Sequence, residues 1–159
     1  MHPNYAVVAT FYTCFSRRDW AGMAACYHPE VEFSDPVFTR LKGQEAKDMW
    51  EMLCTRGKDL KIKYRVLRAD DAGAIAHWEA RYTFSGTGRK VHNRIDAEFE
   101  LRDGRIVRHR DRFDLWRWTR MALGPKGVLL GWLPAVQNAV RAQAARNLAE
   151  FRAKKKARA

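Results

Sequence analysis

The strongest constraint in this sequence is a block of alternating polar and apolar residues in the middle of the chain. Between Leu60 and Leu115, four segments place an apolar residue at every second position, which is the period of a β-strand with one buried face. Ser85–Gly88 and Asp103-Gly104 separate the later segments and are typical of β-hairpin turns. A sheet with one apolar face needs cover, so other parts of the chain must supply it.

The alternation also predicts which side chains face the core. In chain order these are Leu60, Ile62, Tyr64 and Val66; Ala76, Trp78, Ala80, Tyr82 and Phe84; Val91, Asn93, Ile95, Ala97, Phe99 and Leu101; and Val107, His109, Asp111, Phe113 and Leu115. In the fourth segment, two polar residues, His109 and Asp111, occupy the apolar face. Because a buried polar group without a partner is costly, we expect both to be hydrogen-bonded or to serve a ligand.

The residues before the sheet show the 3.6-residue period of amphipathic helices. Asp19 is predicted to be the N-cap of the second helix. A short strand is expected at Val31–Phe33, after a stop at His28-Pro29 and before a turn at Asp35-Pro36. The predicted helices cover 4–15, 20–27 and 44–56.

After Trp118 the pattern changes again. A break at Leu123–Gly127 leads into an apolar stretch, Val128–Pro134, which contains Trp132 and is suited to cap a pocket or fill an interface. From about Ala135 an alanine-rich stripe predicts a further helix. We therefore divide the chain into a domain at 1–122 and a helical extension at 123–159 with a basic tail, packed on the same domain or on a dimer partner.

Composition limits the range of functions. The 159 residues are 47% hydrophobic, which suits one folded domain with a core of its own. The net charge of +12 would suit nucleic acid or an anionic membrane, but the basic residues are spread along the chain and accompany no recognition motif. A solvated basic surface is the favoured interpretation. The alternative, association with nucleic acid or an anionic membrane, predicts binding that weakens steeply as salt rises.

The cysteines and histidines give no sign of a metal or disulfide framework. The three cysteines are odd in number and widely spaced in helical segments, which favours buried thiols in a reducing cytoplasm. The histidines of the sheet lie on different strands without ligand spacing, so no metal is expected. No phosphate loop, nucleophile elbow or dinucleotide fingerprint is present, so we expect no cofactor. Met1–Asn4 shows no secretory signal, and no run approaches 18 apolar residues. A cytoplasmic location is therefore expected.

Several short motifs occur in a recognisable order over roughly residues 4–118. They are the Arg18–Trp20 turn, Phe33–Val37, the Gly43 turn and Asp103–Asp111. The pattern resembles the SnoaL-like branch of the NTF2-like superfamily, which includes ketosteroid isomerases, polyketide cyclases and limonene epoxide hydrolases. The resemblance implies an α+β, cone-shaped fold with a curved mixed or antiparallel sheet, three covering N-terminal helices, a deep pocket and often a homodimer. Here a C-terminal helix would be added.

The resemblance carries over unevenly to single residues. Asp35 falls where ketosteroid isomerases keep a general base, and Asp111 falls where SnoaL-type cyclases keep an acid/base aspartate. The tyrosine that steroid isomerases carry on the first helix is replaced by Phe11, with Tyr12 one step around, and the position of their protonated acid aligns with Ala97. The chain therefore departs from the steroid isomerases.

The predicted site centres on Asp111 as a general acid or base in an apolar pocket. His109 is expected to orient Asp111 or relay a proton, or else to be a satisfied core histidine. Asp35 is expected to be a base at the pocket mouth or simply a turn residue. The predicted ligand contacts are Tyr12, Tyr64, Trp78, Tyr82, Asn93, Phe113 and Trp116.

Two functions follow from this site. The first is a cofactor-free acid/base enzyme, of isomerase, cyclase or hydrolase type, acting on a small apolar carbonyl or epoxide substrate. Arg110 and Arg112 should point away from Asp111, which argues against an epoxide hydrolase. The alternative is a non-catalytic module that binds a small molecule or a protein partner.

Overall fold

The chain folds into six helices and six strands, which a computed structural model describes from Met1 to Ala159. The helices are α1 (Pro3–Ser16), α2 (Trp20–Cys26), α3 (Gln44–Arg56), α4 (Leu115–Leu123), α5 (Pro125–Leu130) and α6 (Pro134–Ala157). The strands are β1 (Tyr27–Ser34), β2 (Leu41–Lys42), β3 (Lys61–Asp70), β4 (Gly73–Phe84), β5 (Arg89–Arg102) and β6 (Arg105–Arg112). The predicted α+β class, with leading helices, one sheet and a long final helix, is confirmed. No helix combines the length and apolar character needed to cross a bilayer.

One mixed sheet holds all six strands in the order β2-β1-β6-β5-β4-β3. β1 and β6 run parallel, whereas the other neighbours are antiparallel. The parallel pair places Phe33 beside His109 and Ser34 beside Arg110. As a result, the chain leaves β1 at Asp35 close to where β6 carries Asp111.

The first strand is longer than the sequence predicts. β1 begins at Tyr27, directly after α2, so His28-Pro29 lies within the strand and does not follow the helix as a separate stop. Proline lacks an N–H for the ladder, and the register between β1 and β6 shifts between Tyr27 and Glu32, around Pro29. The predicted N-cap is confirmed, since an Asp19 carboxylate oxygen accepts from the Gly22 N–H at 2.9 Å.

The last strand departs from strict alternation. Glu100 pairs with Arg108 but Leu101 pairs with Ile106, which leaves Val107 as an extra residue in β6. The prediction that Val107 faces the core is therefore wrong, and Ile106 is fully buried in its place. His109 and Asp111 keep their predicted inward positions.

The sequence pattern also extends the fourth strand-like segment beyond the end of the observed strand. β6 ends at Arg112, and the chain turns into α4 at Leu115, so Phe113 and Leu115 are not strand residues. Asp114, between β6 and α4, caps α4 by accepting from the Arg117 N–H at 3.1 Å. A helix N-cap explains the boundary that strand alternation alone missed.

The main core lies between the sheet and helices α1, α2 and α3, and the C-terminal helix completes it. Leu148 of α6 belongs to this core, and Phe151 packs against it. A second, smaller core at the other end of the sheet is formed by Val91, Leu115, Trp118 and Ala122. Val128 and Trp132 lie outside both cores and are largely exposed, so the apolar stretch before α6 does not cap a pocket.

Candidate active site

A continuous chain of hydrogen bonds ends on Asp111. The Trp50 indole N–H donates to the Tyr27 hydroxyl at 2.8 Å, and that hydroxyl lies 2.7 Å from Nδ1 of His109. Nε2 of His109 lies 2.8 Å from Oδ1 of Asp111. The Trp78 indole N–H reaches the same oxygen at 3.3 Å. Four side chains from α3, β1, β4 and β6 therefore fix the position of one carboxyl group.

The directions of these bonds follow from what each group can donate. An indole N–H only donates, so Tyr27 accepts from Trp50 and gives its own hydrogen to Nδ1 of His109. Burial raises the pKa of the Tyr27 hydroxyl well above its usual value, so the hydroxyl keeps that hydrogen. Nε2 of His109 then carries the imidazole hydrogen and donates a hydrogen bond to Asp111. With Asp111 as a carboxylate, every donor in the chain has an acceptor.

Aromatic rings enclose His109 completely. Its ring centroid lies 4.3 to 6.1 Å from those of five aromatic residues, and none of its surface is exposed. These residues are Phe11, Tyr27, Phe33, Trp50 and Phe99. His109 therefore cannot touch a ligand, and its contact with Asp111 makes it a positioning residue.

Asp111 keeps one oxygen without a protein donor. Both of its hydrogen bonds fall on Oδ1, which leaves Oδ2 unbonded, and 3% of the residue is exposed. The Tyr12 hydroxyl is also buried without a hydrogen-bond partner. Burial first, and then the negative charge of Asp111, raise the pKa of Tyr12 well above its usual value. Ala97 pairs with Asp111 on the next strand, so no second acid stands opposite it.

Asp35 combines a turn with an unusual electrostatic environment. Its Oδ1 accepts from the Val37 N–H at 2.7 Å and the Phe38 N–H at 2.6 Å, which closes the turn after β1. Burial raises the pKa of Asp35 to about 7, and the charge of Asp111 adds to that rise, although both backbone N–H groups act to lower it. The two readings of Asp35 are therefore compatible, because one oxygen builds the turn and the other is free.

Three of the predicted ligand contacts lie at the two carboxyl groups. Trp78 and Tyr12 lie at Asp111, as described above. Tyr82 lies on the Asp35 side, because burial raises the pKa of its hydroxyl and the charge of Asp35 raises it further. The same hydroxyl accepts a hydrogen bond from the Trp118 indole N–H at 2.7 Å.

Three further predicted residues are buried or half-buried, and one lies at the surface. Asn93 is 7% exposed and forms no side-chain hydrogen bond, and Phe113 packs against both cores. Tyr64 stacks behind Tyr12 with ring centroids 5.1 Å apart. Trp116 is wrongly placed by the prediction, because α4 turns its indole to the surface, where Arg120 lies over it at 4.7 Å.

The sequence did not reveal Tyr27, Trp50 and Trp118 as members of this site. Each had the signature of a core aromatic residue, and its hydrogen-bonding partner is 23 to 82 residues away in the chain. Only the inward polar pair on β6 signalled that such donors must exist.

With the geometry established, comparison with known proteins identifies the family. A family model for SnoaL-like domains matches residues 8–109, which is well over half of the chain. The chain belongs to the SnoaL-like family. No protein of curated function has a sequence that matches it.

Solved structures agree with this assignment of the SnoaL-like fold. An NTF2-like protein of unknown function from Burkholderia pseudomallei is 20% identical, with 76% of this chain and 98% of that one covered at a TM-score of 0.65. A putative polyketide cyclase from Xanthomonas campestris is 22% identical (75% and 96% covered, TM-score 0.63). An epoxide hydrolase of the LEH-like type from M. tuberculosis is 19% identical (83% and 96% covered, TM-score 0.61). At these identities the similarity shows the fold and not the reaction.

Two surface cavities of this SnoaL-like protein lie away from Asp111. One, of about 460 Å³, separates α6 from the segment Val37–Leu41. The other, of about 280 Å³, lies on the polar side of β5 and β6. Neither is lined by Asp111, His109 or Asp35, but the larger one shares Val37 and Phe38 with the Asp35 turn. Neither cavity therefore reaches the two carboxyl groups, although the larger one lies beside the Asp35 turn.

The arginines of β6 face away from the site, as predicted. Arg110 and Arg112 are exposed and lie 3.9 and 3.5 Å from the Glu98 carboxylate on the outer face of the sheet. Neither Asp111 nor Asp35 forms an ion pair with an arginine. An Asp-Arg-Asp set for activating water is thus not assembled at these carboxyl groups.

Proposed function

We propose that this SnoaL-like protein is a cofactor-free enzyme that transfers protons to and from a small apolar substrate at Asp111 and Asp35. The proposal depends on one observation: the buried carboxyl group of Asp111 and the half-buried one of Asp35 nearby have different surroundings. Asp111 accepts two hydrogen bonds from neutral N–H donors, whereas burial and the charge of Asp111 raise the pKa of Asp35 to about 7. Pairs of carboxyl groups held in different protonation states are suited to acid/base catalysis.

The two groups would have complementary roles at neutral pH. Oδ2 of Asp111 would remove a proton from a carbon next to a carbonyl group, and the electrons of that C–H bond would move toward the carbonyl oxygen. Asp35, which is protonated in a fraction of the molecules near pH 7, would donate its proton to that oxygen. Returning the proton to another carbon gives an isomerase, and attack of the enol carbon on a second carbonyl gives a cyclase.

The chemistry of the site favours a carbonyl substrate over an epoxide. Its walls are aromatic and apolar, with Tyr12, Trp78 and Phe113 near the carboxyl groups. Arg110 and Arg112, the nearest arginines in sequence, face the other way. The name of the M. tuberculosis relative therefore does not transfer to this chain, in which neither Asp111 nor Asp35 is paired with an arginine.

A test that needs no knowledge of the product follows deuterium exchange at the substrate carbon. A panel of small cyclic ketones is incubated with the protein in D2O, and loss of the α-proton signal is measured by NMR. We expect Asp111→Asn to slow exchange by roughly 10²–10⁴-fold, the usual contribution of a general base. The amide still accepts at Oδ1, so the hydrogen bonds from Trp78 and His109 are kept.

The matched control is Asp96→Asn, on the outer face of β5, where the carboxylate contacts His77 at 2.9 Å. It should exchange like the unaltered protein. Equal exchange by the Asp111→Asn variant and the unaltered protein would refute the assignment.

The tight packing of side chains in the interior supports a second function, that of a non-catalytic binding module. The rings around His109 fill the centre of the cone, and neither described cavity reaches Asp111. A binding module without catalysis would hold an apolar ligand beside α6 and leave Asp111 as a structural carboxylate. It predicts ligand binding that changes tryptophan fluorescence, with no exchange by any variant.

A further inference from the structure

A cluster of large apolar side chains lies exposed between α4 and α6. Val128, Leu129, Leu130 and Trp132, which we call the apolar patch, are 42% to 70% exposed. Trp116 of α4 borders the patch, and its indole N–H donates to the Val128 carbonyl at 3.3 Å. Contiguous exposed apolar side chains on a folded protein mark an interaction surface.

The orientation of α5 keeps these side chains outside. Gly127 is the buried residue of this helix. A Cβ atom there would overlap the Thr119 carbonyl oxygen, and one at Gly131 would overlap the Thr119 hydroxyl. Gly127 in the short helix and Gly131 directly after it thus lie against α4, and the large apolar residues point outward. This is the reverse of the usual orientation of a surface helix, in which the apolar side faces the protein.

The chain segment that contains the patch carries positive charge only. From Leu115 to Ala149 the chain contains five basic residues and no aspartate or glutamate. They are Arg117, Arg120, Lys126, Arg141 and Arg146. A partner must therefore offer apolar surface together with negative charge.

A second copy of the chain fits this requirement poorly. A two-fold dimer through the patch would bring the same surface against itself, so that Lys126 and the α4 arginines of both copies would approach one another. A head-to-tail contact would need an acidic region on another face, yet the glutamates of the outer sheet face are already paired with arginines. Nucleic acid would satisfy the charge but not the exposed aliphatic side chains.

We infer that this SnoaL-like protein docks through the apolar patch on an anionic lipid bilayer. Leu129 and Trp132 would enter the boundary between headgroups and acyl chains, where tryptophan is favoured. Lys126 and the α4 arginines would lie near the anionic headgroups. The inference is independent of the proposed catalysis, because none of these residues belongs to the site.

The test uses the full chain and vesicles of two compositions, phosphatidylcholine alone and phosphatidylcholine mixed with phosphatidylserine. Cosedimentation and the blue shift of tryptophan emission report binding. We expect binding to the mixed vesicles, about tenfold weaker binding to the neutral ones, and a steady loss of binding as salt rises. The double variant Leu129→Ser/Trp132→Ser should bind about tenfold more weakly or not at all.

The matched control is Leu67→Ser, which removes an exposed leucine on β3 that is distant in sequence from the patch. It should bind like the unaltered protein, and circular dichroism should show that all variants are folded. Two results would overturn the inference: absence of vesicle binding by the unaltered chain, or equal binding by the double variant. A concentration-dependent dimer that the double variant abolishes, without vesicle binding, would assign the patch to a second copy instead. Binding of duplex DNA that the double variant retains, again without vesicle binding, would also refute it.

Discussion

At the scale of single residues, two buried tyrosine hydroxyls should contribute differently to stability. The Tyr27 hydroxyl joins the Trp50 indole to His109, whereas the Tyr12 hydroxyl has no partner. Tyr27→Phe leaves a buried donor and a buried acceptor unpaired and should lower the free energy of unfolding by about 1–3 kcal/mol. Tyr12→Phe removes an unpaired polar atom and should be neutral or stabilising. Urea unfolding of both variants measures the difference, and equal losses would show that the Tyr12 hydroxyl does have a partner.

Asp35 should make stability depend on pH in an unusual direction. The unfolded chain releases this proton near the ordinary value of 3.8, whereas the folded protein keeps it up to about pH 7. Between these values the folded state binds more protons, so Asp35 makes the protein less stable as the pH rises from about 4 to about 7. Asp35→Asn keeps an acceptor for the turn and removes the titration.

Relative to the unaltered protein, Asp35→Asn should therefore gain stability across this window, on the order of 2–4 kcal/mol by pH 8. Thermal unfolding at a series of pH values measures the gain. Asp103→Asn, in the exposed β5–β6 turn, is the control and should show no such trend. A constant difference between Asp35→Asn and the unaltered protein from pH 4 to pH 8 would contradict the raised pKa.

The residues of the site differ in how far the sequence could predict them. Strand alternation was sufficient to predict that His109 and Asp111 face inward, because a sheet with one buried face has a strict period of two. Their donors lie on other elements, and a tryptophan in a helix has the same pattern whether its N–H is used or not. Asp35 shows a related limit, since a turn aspartate and a buried acid have the same local sequence.

At the scale of elements, the boundaries that the sequence missed are those set by contacts between strands. The bulge at Val107 depends on how Leu101 pairs with Ile106, and no local pattern encodes that register. The end of β6 was missed because Phe113 and Leu115 continue the alternation into the start of α4. Asp114, three residues before Arg117, was the available sign of a new helix.

Helix α6 is attached to the domain by charge as well as by packing. Asp48 of α3 is buried and accepts from Arg152 at 2.8 Å and from Lys155 at 2.9 Å. Burial alone would raise the pKa of Asp48, but the hydrogen bonds from Lys155, Gln44 and Arg152 outweigh it and hold the pKa below its usual value. The helix therefore docks on a carboxylate that stays charged at neutral pH, beside the apolar contact of Leu148.

At the scale of the whole molecule, α6 connects the core to the candidate site. It contributes Leu148 to the main core, while the Arg141 guanidinium donates to the carbonyl of Pro36 at 2.8 Å, next to Asp35. The family model ends at residue 109, so α6 and its hydrogen bond beside Asp35 lie beyond the matched region. The C-terminal extension is therefore expected to act on both the stability of the fold and the environment of Asp35.

Removal of residues 124–159 tests both effects in one variant. Loss of the buried leucine and of the contacts to Asp48 should lower the free energy of unfolding by roughly 3 kcal/mol or more. Deletion of the exposed residues 157–159 is the control and should change it little. In the shortened chain that remains folded, water should reach Asp35, and its pKa should fall from about 7 toward 3.8, as carboxyl ¹³C NMR would show. An unchanged pKa alongside the lost stability would mean that α6 supports the fold without shaping the environment of Asp35.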